Sequence, residues 1–330
     1  MKLPHRHFLR LAAAIAALPV ALAVVTGFSG SARSQAARTI KMVVPFAPGG
    51  PADVLARLIA DRIGQAQGVT AVVENRPGGG TVIGTEAVSR ATPDGNTLLI
   101  NSSSIVIGPH LRRLNYNPLT GFEPICYLVR SQMVIVVNSA SPYRTLADLV
   151  DAVRAKPGDL TLANAGAGGI THIAAEMLKG VAKINITGVP YPGGAPALNA
   201  LLGDHVRSAL LDYTVLAEQL KASKLRALAT TSGVRIESLP NVPTVAESGY
   251  KDFAVDIWYG VFAPAKTPKE MVSQFAGWFT AALQVPEVKA KLVTQGLYPV
   301  AMCGADFGAL LRKQSDEYGR LIREANINAQ

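Results

Sequence analysis

The sequence predicts an α/β fold arranged in two lobes, and three observations lead to that prediction. From Thr39 onward, short apolar runs alternate with stretches of helical periodicity, as in sheets whose strands are joined by crossover helices. A glycine-rich turn from strand to helix occurs at residues 45–53, and the same pattern returns at 189–197. A third glycine loop lies between them at 164–169. Helices that follow such loops begin with unpaired N–H groups, so we expect these N-termini to converge on one anion from two lobes.

Length and composition agree with two folded domains. The 330 residues are 49% hydrophobic and 17% charged, which excludes an intrinsically disordered chain. Residues 37–330 contain 28 basic and 23 acidic residues, a net charge of +5. This mild excess favours anionic solutes. It includes no basic stripe with interleaved aromatic residues, so we expect no nucleic acid partner.

Residues 1–36 predict an export signal. A basic start is followed by an apolar run over residues 11–25 and by small residues that favour cleavage after Ala36. A membrane anchor is the alternative, but the run is short for the ~30 Å core of a bilayer and Pro19 interrupts it. The basic start resembles an incomplete twin-arginine motif, which leaves Sec and twin-arginine export both open. The predicted location is the periplasm.

Lobe 1 is predicted from residues 37–137 together with 250–330. Pro51 suits the first position of a helix, because its missing N–H has no partner there and its φ is already helical. The strands predicted for this lobe are Thr39–Val44, Val69–Glu74, Thr97–Ile100 and Phe253–Phe262. The helices are predicted from Pro51, over about Thr81–Arg90, and over Lys269–Leu283, Pro286–Gln295 and Ala305–Ala325.

Lobe 2 is predicted over residues 138–249. Thr145 is the expected cap of a helix that extends to about Ala155, and the helix after the 164–169 loop is expected to stop at Gly180. The strands predicted for this lobe and its entry are Val134–Asn138, Leu160–Asn164, His205–Asp212 and Arg226–Thr231. Strands near 134–138 and 253–262 are expected to cross between the lobes and to form a hinge.

The positions of several polar and aromatic side chains allow two interpretations each. Ser102 and Ser103 follow a strand at the edge where α/β sheets bind ligands, or they cap the next helix. His172 is either a ligand contact or a capping group, and Asp212 either meets the ligand or holds a loop. Trp258 and Tyr259 either form a wall of the cleft or belong to the core.

Cys126 and Cys303 are expected to be unpaired, buried thiols, with a disulfide as the alternative in an oxidising compartment. Neither cysteine has the spacing of a metal site. The chain contains no G-x-S-x-G, H-E-x-x-H or Walker A motif. We therefore predict no metal, no cofactor and no catalytic residue. The alternative is a periplasmic hydrolase or transferase that uses His172 with a serine of residues 102–104.

Ordered landmarks along the whole mature chain resemble the substrate-binding proteins of tripartite tricarboxylate transporters, the Bug-type periplasmic receptors. The landmarks are Val44–Gly50 with Asp53, Val73–Gly78, Pro93–Gly95, His172–Glu176, Val189–Tyr191, Leu225–Ala229, Val242–Glu247, Trp258–Gly260 and Ala263–Pro264. The resemblance implies a two-lobed periplasmic binding protein fold of type II-like architecture. In that fold, two mixed sheets flanked by helices are joined by crossing hinge strands.

The resemblance also implies a function. A small organic carboxylate (a dicarboxylate, an amino acid or an aromatic acid) binds between the lobes and is delivered to membrane permease subunits. A signalling receptor that presents its closed form to a sensor is an alternative. The loops at 46–53, 164–171 and 191–194 are implied to hold the carboxylate through backbone amides and ordered waters. The complete set of expected ligand-binding residues is Phe46, Pro48, Gly49, Gly50, Pro51, Asp53, Ser102, Ser103, Asn164, Ala165, Gly166, Gly169, Thr171, His172, Tyr191, Gly193, Gly194 and Asp212.

Overall fold

The computed structural model describes residues 38–251, 253–324 and 327. The described residues from Arg38 onward form one compact unit. The predicted export signal and its cleavage site after Ala36 lie outside the described residues.

Two mixed sheets organise the fold, as predicted. The first has the strand order β11-β4-β10-β3-β1-β2, and the second has the order β7-β6-β8-β5-β9. The strands are β1 Thr39–Val44, β2 Thr70–Asn75, β3 Thr97–Ser102, β4 Phe122–Ser131, β5 Met133–Asn138, β6 Thr161–Asn164, β7 Thr187–Pro190, β8 Ser208–Asp212, β9 Leu225–Thr230, β10 Ile257–Pro264 and β11 Leu297–Cys303. The helices are α1 Pro51–Gln67, α2 Val82–Ser89, α3 Ser104–Leu111, α4 Leu146–Ala155, α5 Ile170–Ala182, α6 Gly194–Leu202, α7 Tyr213–Lys221, α8 Lys269–Gln284, α9 Pro286–Thr294 and α10 Ala305–Glu324.

Local sequence signals account for the helix boundaries that were predicted well. Pro51 is the first residue of α1, as its fixed φ suggested. Thr145 caps α4 with a capping box in which its side chain accepts from the N–H of Asp148 and the Asp148 side chain accepts in return. The strands β3, β5, β8 and β10 are almost wholly buried, as expected of apolar runs in the centre of a sheet.

Three predicted boundaries were wrong. The helix expected to stop at Gly180 continues to Ala182, because Lys183 adopts the left-handed conformation that ends it. The strand predicted over Phe253–Phe262 begins only at Ile257, where pairing with β4 starts. The strand predicted from His205 begins at Ser208, because residues 203–207 form the turn after α6.

The chain passes between the sheets at adjacent points. β4 ends at Ser131 in the first sheet and β5 begins at Met133 in the second. The return segment is held beside it: the Thr231 N–H donates to the Met133 carbonyl at 3.0 Å, and the Val255 N–H donates to the Thr231 carbonyl at 2.8 Å. We propose that these segments are the hinge and that lobe 1 ends near Gln132, five residues before the predicted boundary.

The expectation of two free thiols was wrong. Cys126 of β4 and Cys303 of β11 form a disulfide, and no free cysteine remains among the described residues. The two residues are directly opposite each other in neighbouring antiparallel strands. Neither strand had been predicted, so the sequence offered no reason to place the thiols together.

Within the part of the chain that the structure describes, no helix is long and apolar enough to cross a membrane.

Candidate functional site

A cavity of about 430 Å³ lies between loops of the first sheet and loops of the second. Its size suits a small organic molecule. The first sheet contributes the β1–α1 loop, the β2–α2 loop and the start of α3. The second sheet contributes the β6–α5 and β7–α6 loops and the end of β8. Most of the lining is apolar, so the few polar groups decide what can bind.

Three helices from both sheets begin at this cavity. The N-caps of α1, α5 and α6 are Gly50, Gly169 and Gly193, and none of them supplies a side-chain hydrogen bond to its helix. The first N–H groups of these helices therefore stay free to meet a ligand. Their dipoles add positive potential at the same place. The arrangement fits an anion, and a carboxylate is the simplest organic one.

Asp53 supports the first loop and does not line the cavity. Its carboxylate accepts from the Gly49 N–H at 2.9 Å and pairs with Arg57 at 2.9 Å. Burial alone would raise the pKa of this carboxyl, but hydrogen bonds from Arg57, Gly49 and Asn75 together hold that pKa below its usual value. The side chain therefore stays charged and fixes the conformation of the Pro-Gly-Gly turn.

His172 likewise supports a loop. Its Nδ1 accepts from the Gly168 N–H at 3.0 Å, and its Nε2 lies 3.7 Å from the Glu176 carboxylate. Burial lowers the pKa of this imidazole, although the Glu176 charge opposes that effect. The neutral ring keeps Nδ1 as an acceptor. The structure thus favours a capping role for His172 over direct contact with a ligand.

We expect His172→Phe to lower the free energy of unfolding by about 1 kcal/mol relative to His172→Asn, because only asparagine can keep an acceptor near Nδ1. Urea unfolding of the two variants at neutral pH measures the difference. Equal stabilities would show that the Gly168 hydrogen bond does not hold the loop.

Asp212 joins the two sheets at the inner end of the cavity. Its carboxylate accepts from Ser131 at 2.8 Å and from the Tyr259 hydroxyl at 3.1 Å, both from strands of the first sheet. It also caps α7 by accepting from the Thr214 N–H at 2.9 Å. The structure therefore gives Asp212 a structural role at the lobe junction, although it also lines the cavity.

Strand alternation separates the two aromatic residues whose position was ambiguous. Tyr259 lines the cavity, whereas Trp258 packs on the opposite face of β10 against Phe262 and Phe307. Ser102 also lines the cavity, and its hydroxyl donates to Ser104 at 3.0 Å. Among the described residues, no hydrogen bond joins His172 to a serine of residues 102–104.

The structure gathers most of the expected ligand-binding residues around one cavity. The lining includes Phe46, Pro48, Gly50, Pro51, Ser102, Ala165, Gly166, Gly169, Thr171, Tyr191, Gly193, Gly194 and Asp212. The expected residues that do not line it are Gly49, Asp53, Ser103, Asn164 and His172. Asn164 instead accepts from the Gly166 N–H at 3.1 Å. Like Asp53 and His172, it stabilises a loop without lining the cavity.

Sequence reasoning missed the 77–81 loop, Arg112, Val215 and Ile257, which also line the cavity. Arg112 follows α3 and donates to the Gly79 carbonyl in the first half of the molecule and to the Ala167 carbonyl in the second. Nothing in the local sequence signals this role, because both partners are distant along the chain.

Comparison with known proteins identifies relatives of this chain. A family model described as "Tripartite tricarboxylate transporter family receptor" matches residues 55–327. A protein encoded in the tcbD–tcbE intergenic region of Pseudomonas sp. strain P51 is 34% identical over 94% of each chain.

Solved structures agree with the sequence match. The periplasmic binding protein BugD is 35% identical, with a TM-score of 0.85 over 89% of this chain and 99% of that one. A Rhodopseudomonas palustris protein solved with adipate is 30% identical, with a TM-score of 0.86 over 89% of this chain and 99% of that one. These relatives share the fold described above over nearly their whole length.

Proposed function

The chain belongs to the tripartite tricarboxylate transporter receptor family, and on that premise we propose that it binds a small organic carboxylate between its two lobes. It is a periplasmic solute-binding protein, as the family is. We further propose that cleavage after Ala36 releases it and that its closed form delivers the ligand to membrane permease subunits.

One observation carries this proposal: the N-termini of α1, α5 and α6 meet at one cavity from both sheets. An anion placed there contacts both lobes at once. Its binding free energy then favours the closed arrangement over any open one. The adipate in the R. palustris relative supports a carboxylate as the ligand class.

A binding role is also favoured over catalysis by the geometry of the polar groups. The imidazole of His172 uses Nδ1 to accept from a backbone N–H, and Ser102 donates to another serine. Neither arrangement activates a nucleophile, which requires a base within hydrogen-bond reach of the hydroxyl. We therefore propose that the protein is not an enzyme.

A thermal-shift screen of the mature protein against small carboxylic acids tests the proposal. A ligand present at a hundred times its dissociation constant adds about 2.7 kcal/mol to the free energy of unfolding. A clear rise in melting temperature is therefore expected for at least one acid. If no carboxylic acid stabilises the protein, the proposed ligand class is wrong.

We expect Gly193→Val to abolish this stabilisation. Gly193 lines the cavity at φ 126°, and a Cβ there would lie 3.4 Å from the Cβ of Ala47 on the facing loop. Valine would fill the place of the ligand and would also hold the two loops apart. The measurement is the ligand-induced shift in melting temperature.

Gly249→Val is the matched control for backbone strain. Gly249 also has a positive φ, of 108°, but a Cβ there meets no atom within 4 Å, and the residue does not line the cavity. Both valines should cost about 1–3 kcal/mol of strain. Only the variant at Gly193 should lose the ligand response, and normal binding by that variant would exclude the β7–α6 loop from the site.

A further inference from the structure

Arg112 is the only cationic side chain among the described residues that line the cavity. Its guanidinium donates to the Ala167 carbonyl at 2.7 Å and to the Gly79 carbonyl, so it spans the two halves of the molecule. These carbonyls use two of the five N–H donors of the group. The Nε–H is buried and has no acceptor. The second N–H of each terminal nitrogen is the donor capacity that remains at this end of the cavity.

Two glycines make room for this guanidinium. A Cβ at Gly168 would lie 2.2 Å from one terminal nitrogen of Arg112, and a Cβ at Gly80 would lie 2.7 Å from the other. Any larger residue at either position would displace the guanidinium. The surrounding loops are thus shaped to hold this side chain at the junction of the lobes.

The charge of Arg112 lacks a counter-charge. No carboxylate of the described residues forms a salt bridge with it. Asp212, the only acidic side chain among the described residues that line the cavity, is already engaged by Ser131, Tyr259 and the Thr214 N–H. Arg112 is half-buried, so its charge is only partly hydrated and an anion in the cavity would supply the partner that it lacks. A carboxylate is the natural partner, because the planar fork of arginine matches its two oxygens.

Arg112 and the β7–α6 loop mark two different places where the lobes meet. Gly193 approaches Ala47 of the β1–α1 loop, whereas Arg112 and Gly80 approach Ala167 of the β6–α5 loop. A ligand that reaches from one place to the other can present one acid group to the N-termini of α1 and α6 and another to the guanidinium, which lies beside the start of α5. A ligand with a single carboxylate leaves one of these places without its anion.

We propose that Arg112 selects ligands with two acid groups by binding the second carboxylate while it closes the cleft. This inference rests on the proposed carboxylate-binding function and names the ligand class and the residue that discriminates. Arg112 then couples ligand charge to closure, because the side chain that joins the lobes is also the one that the second carboxylate neutralises.

Matched pairs of acids test the proposal: succinate with butyrate, glutarate with pentanoate, and adipate with hexanoate. Each pair differs by replacement of one carboxylate with a methyl group. Dissociation constants are measured by calorimetry for the wild type and for Arg112→Met. We expect the wild type to bind at least one diacid about tenfold or more tightly than its monoacid, a gap that the methionine variant closes.

Arg113→Met is the control, because it removes the same charge from the adjacent, exposed residue. This variant should retain the preference for the diacid. Arg112→Lys keeps the charge without the fork and should recover part of the preference. It also serves as the informative variant if Arg112→Met does not fold.

The outcomes separate this inference from the function on which it rests. An equal loss of affinity for diacid and monoacid in Arg112→Met would show that Arg112 only holds the lobes together. Equal binding of both acids by the wild type would also overturn the inference, while the carboxylate receptor would stand. Failure of every carboxylic acid to bind would overturn the proposed function itself.

Discussion

Removal of the Cys126–Cys303 disulfide is expected to lower the free energy of unfolding by about 3–5 kcal/mol. The bond joins residues that are 177 positions apart, so it closes a loop that includes more than half of the chain. A cross-link over a loop of that length restricts the unfolded chain strongly. It also ties β11, an edge strand of the first sheet, to β4.

The measurement is urea unfolding of the mature protein in oxidised form, in reduced form, and as the double variant Cys126→Ala/Cys303→Ala. Alanine avoids burying a new hydroxyl at Cys126, which is fully buried. The reduced protein and the double variant should show similar losses, because both lack the cross-link. A midpoint that is unchanged in all three forms would show that the bond contributes nothing to stability.

This disulfide also shows which strands the sequence did not predict. β4 contains Pro124, and β11 contains Pro299 together with Ala301, which adopts a positive φ of 55°. Proline and irregular backbone weaken the pattern by which strands are recognised. The pairing of β4 with β11 accordingly contains a register shift between Pro299 and Met302. The location of two cysteines in facing strands was hidden by the same irregularity.

The candidate site was predicted better than the disulfide because its signal is local. A glycine loop followed by a helix start is visible in a few adjacent residues, and it recurs at α1, α5 and α6. Arg112 has no such signal, since its carbonyl partners are 33 and 55 residues away. The local sequence thus predicts the helix N-termini that suit an anion. The contacts that select the ligand depend on how the lobes come together.

The second large effect concerns pH and Asp212. We expect the difference in free energy of unfolding between Asp212→Asn and the wild type to rise by about 2 kcal/mol from about pH 4 to about pH 7, in favour of the variant. Burial raises the pKa of the Asp212 carboxyl to about 6, despite the opposing hydrogen bonds from Thr214, Ser131 and Tyr259. In the unfolded chain the pKa returns to its ordinary value of 3.8.

The direction follows from proton binding. Between these two pKa values the folded protein binds a proton that the unfolded chain has released, so the contribution of Asp212 to stability falls as pH rises through this window. Above about pH 6 the group is charged in both states, and the folded protein bears the full cost of a buried carboxylate. Asparagine has no charge, and its oxygen can still accept from Ser131 and Thr214.

Urea unfolding of both proteins at several pH values measures this difference. Other groups with shifted pKa values, such as Asp53 and His172, are present in both proteins, and their contributions cancel. A difference that stays flat with pH would show that Asp212 titrates normally. A difference that falls would show that its three donors outweigh burial. The expected rise would mean that the wild type keeps, at the junction of its lobes, a carboxylate that lowers the stability of the folded protein at neutral pH.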